Sequence, residues 1–466
     1  MANATQTDIE KKLHATLAVL GGQVVGEDSI RHEGSEFILP LNMTKAQGLN
    51  ALVQAIKSED EVTAFSHTFN YRPWDGAYGF VSAVKKHFGF IQGVTERSMW
   101  GDTPPRLIDI PIGHGEHARI PWGKMAIPTF PGVSFTTGQA ENAYGPVFTI
   151  SAEAPNKYKA EIEGLFKLVE AELQEHSIYK GKAVDGADMP DFLDLSKVDL
   201  DSIVYSENLR AQLETNVWAM LRHREALATY GISAKRAVVF SGPHGNGKTL
   251  TAHATAKIAV ENGVTFIYCR PGQNRAQVML TAQLYQPSVV FFEDMDVMAD
   301  QARDSQDLSQ LLELLDGLGN KECNILSVFT TNYPENIQKG MLRPGRVDAV
   351  IPFGELDRPG VEQMVRVNLP TEMIAEVDFD QVYASVEGFQ PAFVKEVIGR
   401  AKLYSISNNH GVLGAFTTKD LVDAANGLRP QLDMMQDAKE GTHVPTLDEA
   451  LRSTIQEGLV EWDNNR

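Results

Sequence analysis

The chain has 466 residues, 43% of them hydrophobic and 22% charged, which is enough apolar material for two or three cores and excludes disorder as the main state. Lys plus Arg number 42 against 61 Asp plus Glu, a formal charge of −19; that surplus repels phosphodiester backbones and argues against stable nucleic-acid binding. Cys269 and Cys323 are too few for a disulfide framework or a Cys-rich zinc site and predict a reducing, cytoplasmic setting.

No run approaches the ~20 apolar residues of a membrane-spanning helix, and the first twenty residues carry Asp8, Glu10, Lys11 and Lys12 where a signal peptide would be apolar. We therefore expect a chain without a membrane partner. Neither Met1-Ala2 nor Asn464-Asn465-Arg466 carries a lipidation signal.

Residues 1–178 read as a mixed α+β domain suited to holding a substrate or partner. An extended run spans 36–41, helical patterns span 44–59 and 77–87, the second closed by Gly89, and further extended runs span 106–112, 117–122 and 147–150. A charged helix over 157–176 ends this region, and the Gly-, Asp- and Pro-rich stretch around 181–201 predicts a linker, placed at 179–198.

From 209 to 230 apolar residues recur at helical spacing. Short β-type runs at 237–240, 264–269, 289–292, 325–330 and 347–352 then alternate with helices, the signature of a parallel sheet covered on both faces. This gives an α/β domain over 199–355. Beyond Gly360 only helical patterns remain, at 361–367, 391–407 and 418–438, so a small helical domain is expected over 356–438, with a last helix near 447–456 inside a tail of residues 439–466.

Gly242-Pro243-His244-Gly245-Asn246-Gly247-Lys248-Thr249 fits the pattern Gly, four residues, Gly, Lys, Ser/Thr, between the run ending at Phe240 and the helical stretch opening at Leu250. Glycines let backbone N–H groups turn inward around phosphate oxygens, and the helix N-terminus adds partial positive charge. Lys248 would reach the β and γ phosphates and Thr249 would hold Mg²⁺. A coincidental Gly-rich turn is the competing reading, and the flanking strand and helix weigh against it.

The apolar run 289–292 ends in Glu293-Asp294-Met295-Asp296. Ligands bind at such strand ends, where one carboxylate can serve the Mg²⁺ shell while another orients or deprotonates water. The next run leads to Thr331-Asn332, whose amide could position that water. Arg343 and Arg346, held by a Pro-Gly turn, suit neutralisation of transition-state charge, and by themselves equally suit surface ion pairs.

Together these residues resemble the AAA family of the AAA+ ATPases, over about 199–438. Gly242 to Thr249 matches its Walker A motif, Phe291 to Asp296 its Walker B, Asp316-Gly317-Leu318 its intersubunit-signalling triplet, Asn332 its sensor 1, and Met341 to Asp348 its second region of homology. The resemblance implies a P-loop sheet with a helical lid. It also implies ATP and Mg²⁺ as ligands, with Gly242 through Leu250 on the nucleotide and Thr249 and Glu293 on the metal. ATP hydrolysis would be coupled to remodelling, unfolding or moving a protein substrate, or one brought by an adaptor. In that family the site lies between subunits of a homo-oligomeric ring, usually a hexamer, so Arg343 and Arg346 would act on a neighbour's γ-phosphate. A nucleotide-gated assembly module with slow turnover and a DNA-associated loader are the competing functions.

Three departures qualify the match. The usual Asp-Glu order is inverted to Glu293-Asp294, as in the mitochondrial AAA translocase of the Rieske protein and in bacterial AAA proteins similar to segregases. Glu293 carries over to the magnesium side and Asp294 to the water, with the division of roles left open by the swap. Arg270-Pro271-Gly272-Gln273-Asn274-Arg275 holds no aromatic-apolar-Gly triplet for gripping a threaded polypeptide. The segment 387–392 has Phe393 where the family's lid motif ends in Asp. Pro391 still fits the first turn of a helix.

Two weaker constellations precede the phosphate loop. His114, Glu116 and His117 offer metal-ligand types, without helical two-His spacing and flanked by Gly113 and Gly115, so a mobile turn is the better reading. Tyr71, Trp74, Tyr78, Trp100 and Trp122 suit a partner surface or, more commonly, a core.

Overall fold

A computed structural model describes residues 15–18, 23–24, 29–32, 35–38, 44–99, 101–187, 190–233, 235–294, 324–333 and 347–440. Trp100, Cys323, the 316–318 triplet, Arg343, Arg346 and the 447–456 helix lie outside them. The chain divides into two compact units: residues 1–193 with 276–288, and residues 194–275 with 289–466.

In the first unit, strands β1 (Gln23–Val24), β2 (Ser29–His32) and β3 (Ser35–Ile38) form a small antiparallel sheet. Helix α1 (Lys45–Asp60) opens on a capping box. The Thr44 hydroxyl accepts the Gln47 N–H at 3.3 Å and the Gln47 side-chain oxygen accepts the Thr44 N–H at 2.9 Å, which satisfies two otherwise orphaned donors. Its Leu49, Val53 and Ile56 bury one stripe together with Leu17.

Strand β4 (Val62–Phe69) leads into helix α2 (Pro73–Phe88), which Pro73 starts and Gly89 stops at φ 87°. The helix begins four residues before the predicted start. Gly76 lies inside the helix, and a glycine is needed there because the helix lies hard against a strand: a Cβ would fall 2.2 Å from Phe148.

A turn of short strands, β5 (Gln92–Gly93), β6 (Glu96–Ser98) and β7 (Gly101–Thr103), precedes the hairpin of β8 (Arg106–Gly113) with β9 (Glu116–Trp122). Strands β10 (Lys124–Ala126), β11 (Ser134–Asn142) and β12 (Gly145–Pro155) complete an antiparallel sheet in the order β4-β12-β11-β10-β5. Helix α3 (Lys159–His176) packs Ile162, Leu165, Phe166, Val169 and Leu173 inward.

Segment 181–201, expected to be a linker, contains a small hairpin of β13 (Ala183–Asp185) and β14 (Asp191–Phe192). Its two pairs of residues are too short to leave a period in the sequence. The aromatics split as a core would: Tyr71 is buried, and Trp74 and Trp122 meet edge to face at 5.1 Å.

The first unit also contains a buried polar cluster that none of the motifs foreshadowed. Asp75 accepts the Ser177 hydroxyl at 2.6 Å and the Ile178 N–H at 2.8 Å, and Tyr285 from the 276–288 segment donates to it as well. The Arg72 N–H donates to the Tyr285 hydroxyl at 2.8 Å, and the Arg72 guanidinium to the Thr281 hydroxyl. Complete burial pushes the Asp75 carboxyl up to about 6 and the Tyr285 phenol well above its ordinary value.

The second unit opens with short helices α4 (Glu207–Leu213), α5 (Ala219–Arg222) and α6 (Arg224–Thr229), the first two joined by a π-helical turn at Glu214–Trp218. Strand β15 (Arg236–Ser241) then feeds helix α7 (Lys248–Glu261). Strands β16 (Thr265–Cys269), β17 (Ser288–Phe292), β18 (Ile325–Thr331) and β19 (Ala349–Pro352) join β15 in the order β16-β17-β18-β15-β19. Both neighbours of β15 run parallel to it. Every residue of β16, β17 and β18 is buried, which explains their unbroken apolar or small-residue runs. Helix α8 (Arg275–Leu284) follows β16 in the chain and, from Ala276 on, belongs to the first unit.

Five further helices build the small domain: α9 (Arg358–Asn368), α10 (Phe379–Ser385), α11 (Pro391–Asn408), α12 (Thr418–Asn426) and α13 (Arg429–Glu440). They enclose one apolar cluster centred on Val361, Val382, Val397, Ala401 and Leu421. Three helical patterns had been expected here. Helix α10 is only seven residues long and escapes a periodicity test, while the 418–438 pattern is two helices that meet at Gly427 and Leu428. Among the described residues, no helix is long and apolar enough to cross a membrane.

Candidate nucleotide site

The loop between β15 and α7 folds around its own glycines. Gly242 has φ 148° and donates its N–H to the Thr331 carbonyl at 3.2 Å, and a Cβ on it would fall 2.2 Å from the Phe353 carbonyl oxygen. Only glycine fits that double constraint. Gly247, at φ 88°, is the N-cap of α7, so the first N–H groups of a 14-residue helix face the loop's concave side. Asn246 is 5% exposed; its amide donates to the Phe353 carbonyl at 2.7 Å and so fastens the loop to the strand end beside it. From the lid, the Ala392 N–H donates to the Gly245 carbonyl at 3.1 Å. Pro391 starts helix α11 as its sequence position implies. His244 and Gly245 are exposed, Pro243 half-buried, and Leu250 is 49% exposed at the head of α7.

Lys248, buried to 7% exposure, donates to the Gly242 and Pro243 carbonyls and, at 2.8 Å, to the side-chain oxygen of Asn332. The Asn332 amide nitrogen in turn donates to Asp294 Oδ1 at 2.9 Å. Thr249 Oγ1 lies 2.8 Å from Glu293 Oε1. The five polar side chains that the sequence singled out on three separate segments therefore converge, with Glu293 beside the hydroxyl and Asp294 beside the amide.

Strand geometry explains the convergence. The Glu293 N–H still follows the sheet ladder, donating to the Cys269 carbonyl at 3.0 Å. Asp294 leaves it with φ 46°, its N–H donated to the Thr330 hydroxyl at 2.8 Å. A hydroxyl and a carboxylate oxygen side by side form an oxygen donor set of the kind that Mg²⁺ prefers, so Thr249 and Glu293 fit the metal position expected of them.

A cavity of about 300 Å³ adjoins the loop at Asn246, Gly247 and Leu250. Its walls mix Val204, Leu356, Met364 and Pro391 with the polar Tyr205, Glu355, Asn368 and Lys395, and apolar walls with a few polar groups suit a nucleobase. None of these was picked out from the sequence, except Pro391 for its helix position. The available signal was the extended Ile203-Val204-Tyr205 run ending at Ser206, whose side chain caps α4.

The remaining candidates stand apart from this site. His114, Glu116 and His117 lie at the β8–β9 turn, where the His114 ring nitrogen is 3.4 Å from the Phe192 carbonyl. Among the described residues, no three His, Cys, Asp or Glu side chains gather as a metal site. Asp348 pairs its backbone N–H and side chain with the backbone of Ala237 at 2.8 and 2.9 Å, tying the end of the second region of homology to β15.

Comparison with known proteins agrees with the geometry. The family profile described as "ATPase family associated with various cellular activities (AAA)" matches residues 238–355. The chain is 28% identical over 276 residues to the human ATPase family gene 2 protein homolog A, covering 52% of this chain and 31% of that protein. It is 28% identical to the ATP-dependent zinc metalloprotease FtsH of Veillonella parvula, over 47% of this chain and 36% of that one. It is 30% identical to the ATPase family gene 2 protein of Schizosaccharomyces pombe, over 43% and 26% respectively. The chain thus spans about a third or less of the length of each of these three relatives. Residues 238–355 form an ATPase domain of the AAA family, within the AAA+ ATPases.

Proposed function

We propose that the chain is an Mg²⁺-dependent ATPase that assembles into a homo-oligomeric ring and uses ATP hydrolysis to remodel, unfold or move a protein bound through residues 1–178. The observation that supports this most is Asn332, whose one amide joins Lys248 to Asp294 beside the Thr249–Glu293 pair. In this reading Lys248 exchanges its contacts with the Gly242 and Pro243 carbonyls for phosphate oxygens. Asp294 takes the proton of the attacking water, and Asn332 keeps that carboxylate aimed. Thr249 and Glu293 would hold Mg²⁺, which supplies charge neutralisation across the phosphates. Arg343 and Arg346 of one subunit would serve the site of the next.

Between β16 and α8 the chain makes a tight turn, closed by the Arg270 N–H donating to the Gln273 side chain at 2.8 Å and the Gln273 N–H to the Arg270 carbonyl at 3.2 Å. That turn favours engagement of a protein by another surface over an aromatic grip in a central pore. The cytoplasmic setting rests on the two cysteines alone.

The test is ATP turnover per protomer against protein concentration, with Lys248→Ala as the blank and sizing of the same samples. A steep rise to saturation that tracks assembly supports a site completed between subunits. Full turnover by a monomer refutes the ring.

A further inference from the structure

We infer that Thr330 is a positioning residue for hydrolysis: its hydroxyl holds Asp294 in a left-handed turn, and that turn is why the acidic pair runs Glu293-Asp294. The inference rests on the reading of Asp294 as the water-activating carboxylate and adds what aims it.

Asp294 has φ 46°, a conformation that costs most L-residues free energy and that Asp and Asn tolerate best, because their short polar side chains bond locally. Something must hold it there. The Asp294 N–H has left the sheet ladder and donates to Thr330 Oγ1 at 2.8 Å. Thr330 is 1% exposed, so water cannot readily replace a lost hydroxyl at this position.

The carboxylate so placed meets the Asn332 amide at 2.9 Å. Three successive residues of one strand end thus serve the site in three ways. Thr330 sets the Asp294 backbone, Thr331 accepts the Gly242 N–H through its carbonyl at 3.2 Å, and Asn332 bridges Lys248 and Asp294.

The same geometry accounts for the inverted order. Glu293, still in the ladder, spans with its longer side chain to Thr249 Oγ1 at 2.8 Å; Asp at that position would fall short by about one carbon–carbon bond, ~1.5 Å. Glu at 294 would add a methylene just where the turn already brings a carboxylate to Asn332, and a left-handed backbone suits Glu less well than Asp. Side-chain length and backbone conformation are exchanged between the two positions together.

The experiment compares kcat, KM and equilibrium binding of a fluorescent ATP analogue for the full chain and its variants Thr330→Val, Thr330→Ser, Asp294→Asn and the swap Glu293→Asp/Asp294→Glu. Thr330→Val keeps the shape and removes the acceptor. It should lower kcat about tenfold, the worth of one buried hydrogen bond, with analogue affinity within about twofold. Thr330→Ser restores the hydroxyl and should stay within about threefold of wild-type kcat, and the swap should lose at least tenfold.

Wild-type kcat in Thr330→Val, or an equal loss in Thr330→Ser, overturns the positioning role. Full turnover by the swap overturns the account of the order. Asp294→Asn separates the two levels: if it turns over normally the base reading itself fails, whereas if it is inactive while Thr330→Val is unaffected, only the role of Thr330 fails.

Discussion

Lys248 donates to the side-chain oxygen of Asn332 across 2.8 Å, and the nitrogen of the same amide donates to Asp294 across 2.9 Å. An amide carries its acceptor and its donors on separate atoms, so it can accept from an ammonium and donate to a carboxylate at once. The cation of the phosphate loop and the acid at the end of the neighbouring strand are therefore set against a common reference, and each can be tested by changing that reference.

Asn332→Asp keeps the acceptor for Lys248 and turns the donor facing Asp294 into a second carboxylate. Repulsion between like charges at hydrogen-bond distance should misplace Asp294 or raise its proton affinity. We expect kcat to fall roughly 100-fold with analogue binding changed less than about fivefold, a split that steady-state kinetics and a binding titration resolve.

Lys248→Ala removes the buried ammonium and leaves the Gly242 and Pro243 carbonyls and Asn332 without their donor. Charge-assisted bonds contribute about 1.5–3 kcal/mol each, so ATP affinity should drop by roughly 10- to 100-fold or more. Binding within twofold of wild type would exclude Lys248 as a phosphate ligand.

Asp294→Asn is nearly isosteric and removes the proton acceptor. Loss of a general base lowers turnover by about 10²- to 10⁴-fold, and nucleotide binding should persist. Trapping of ATP in a filter or spin-column assay, together with a single-turnover rate, checks both halves of the statement.

Asp75 gives the first unit a pH dependence of known sign. Its carboxyl is raised from 3.8 to about 6 by burial, so the folded state holds a proton that the unfolded chain releases. That preference stabilises the fold fully below about pH 4, is lost as pH climbs toward 6, and is absent above it. Two pH units correspond to roughly 3 kcal/mol. Between pH 4 and 7 wild type should lose about that much unfolding free energy relative to Asp75→Asn, measured by denaturant titration of the full chain. Parallel curves would show that Asp75 ionises in the folded state as it does in water.

Gly76→Ala tests the contact of helix α2 with β12. Its Cβ would sit 2.2 Å from the Cβ of Phe148, whose side chain is fully buried. Overpacking of this kind costs roughly 1–3 kcal/mol; a melting temperature equal to wild type would show that the helix shifts freely.

How much of this was legible in the sequence depended on whether neighbours in the chain or neighbours in space fix the feature. Lys248 and Thr249 are dictated by a local loop, and β17 and β18 by apolar runs, so motif and strand could be read directly. Helix α2 was read short because Gly76 breaks the local pattern, and the reason for a glycine there is Phe148, 72 residues away in sequence. The left-handed turn at Asp294 depends on a hydroxyl from another strand, and the cavity walls at Tyr205 and Met364 come from segments with no shared pattern. The inverted acidic pair was visible as a departure; its reason lay in backbone geometry that no spacing encodes.

The first unit's buried cluster has a consequence for the timing of its birth. The Arg72 N–H waits for the hydroxyl of Tyr285, 213 residues later in the chain, and Asp75 waits for the same phenol. Synthesis at about 5–20 residues per second puts tens of seconds at most, and about ten at least, between the two. Throughout that interval the emerging N-terminal unit carries an unfinished polar interior, and the phosphate loop at 242–249 is made before that interior can close. A proteolytic fragment ending near Leu193 is held permanently at that stage, so a nick between the two visits of the chain to this unit removes the last pieces of its core rather than releasing a finished domain.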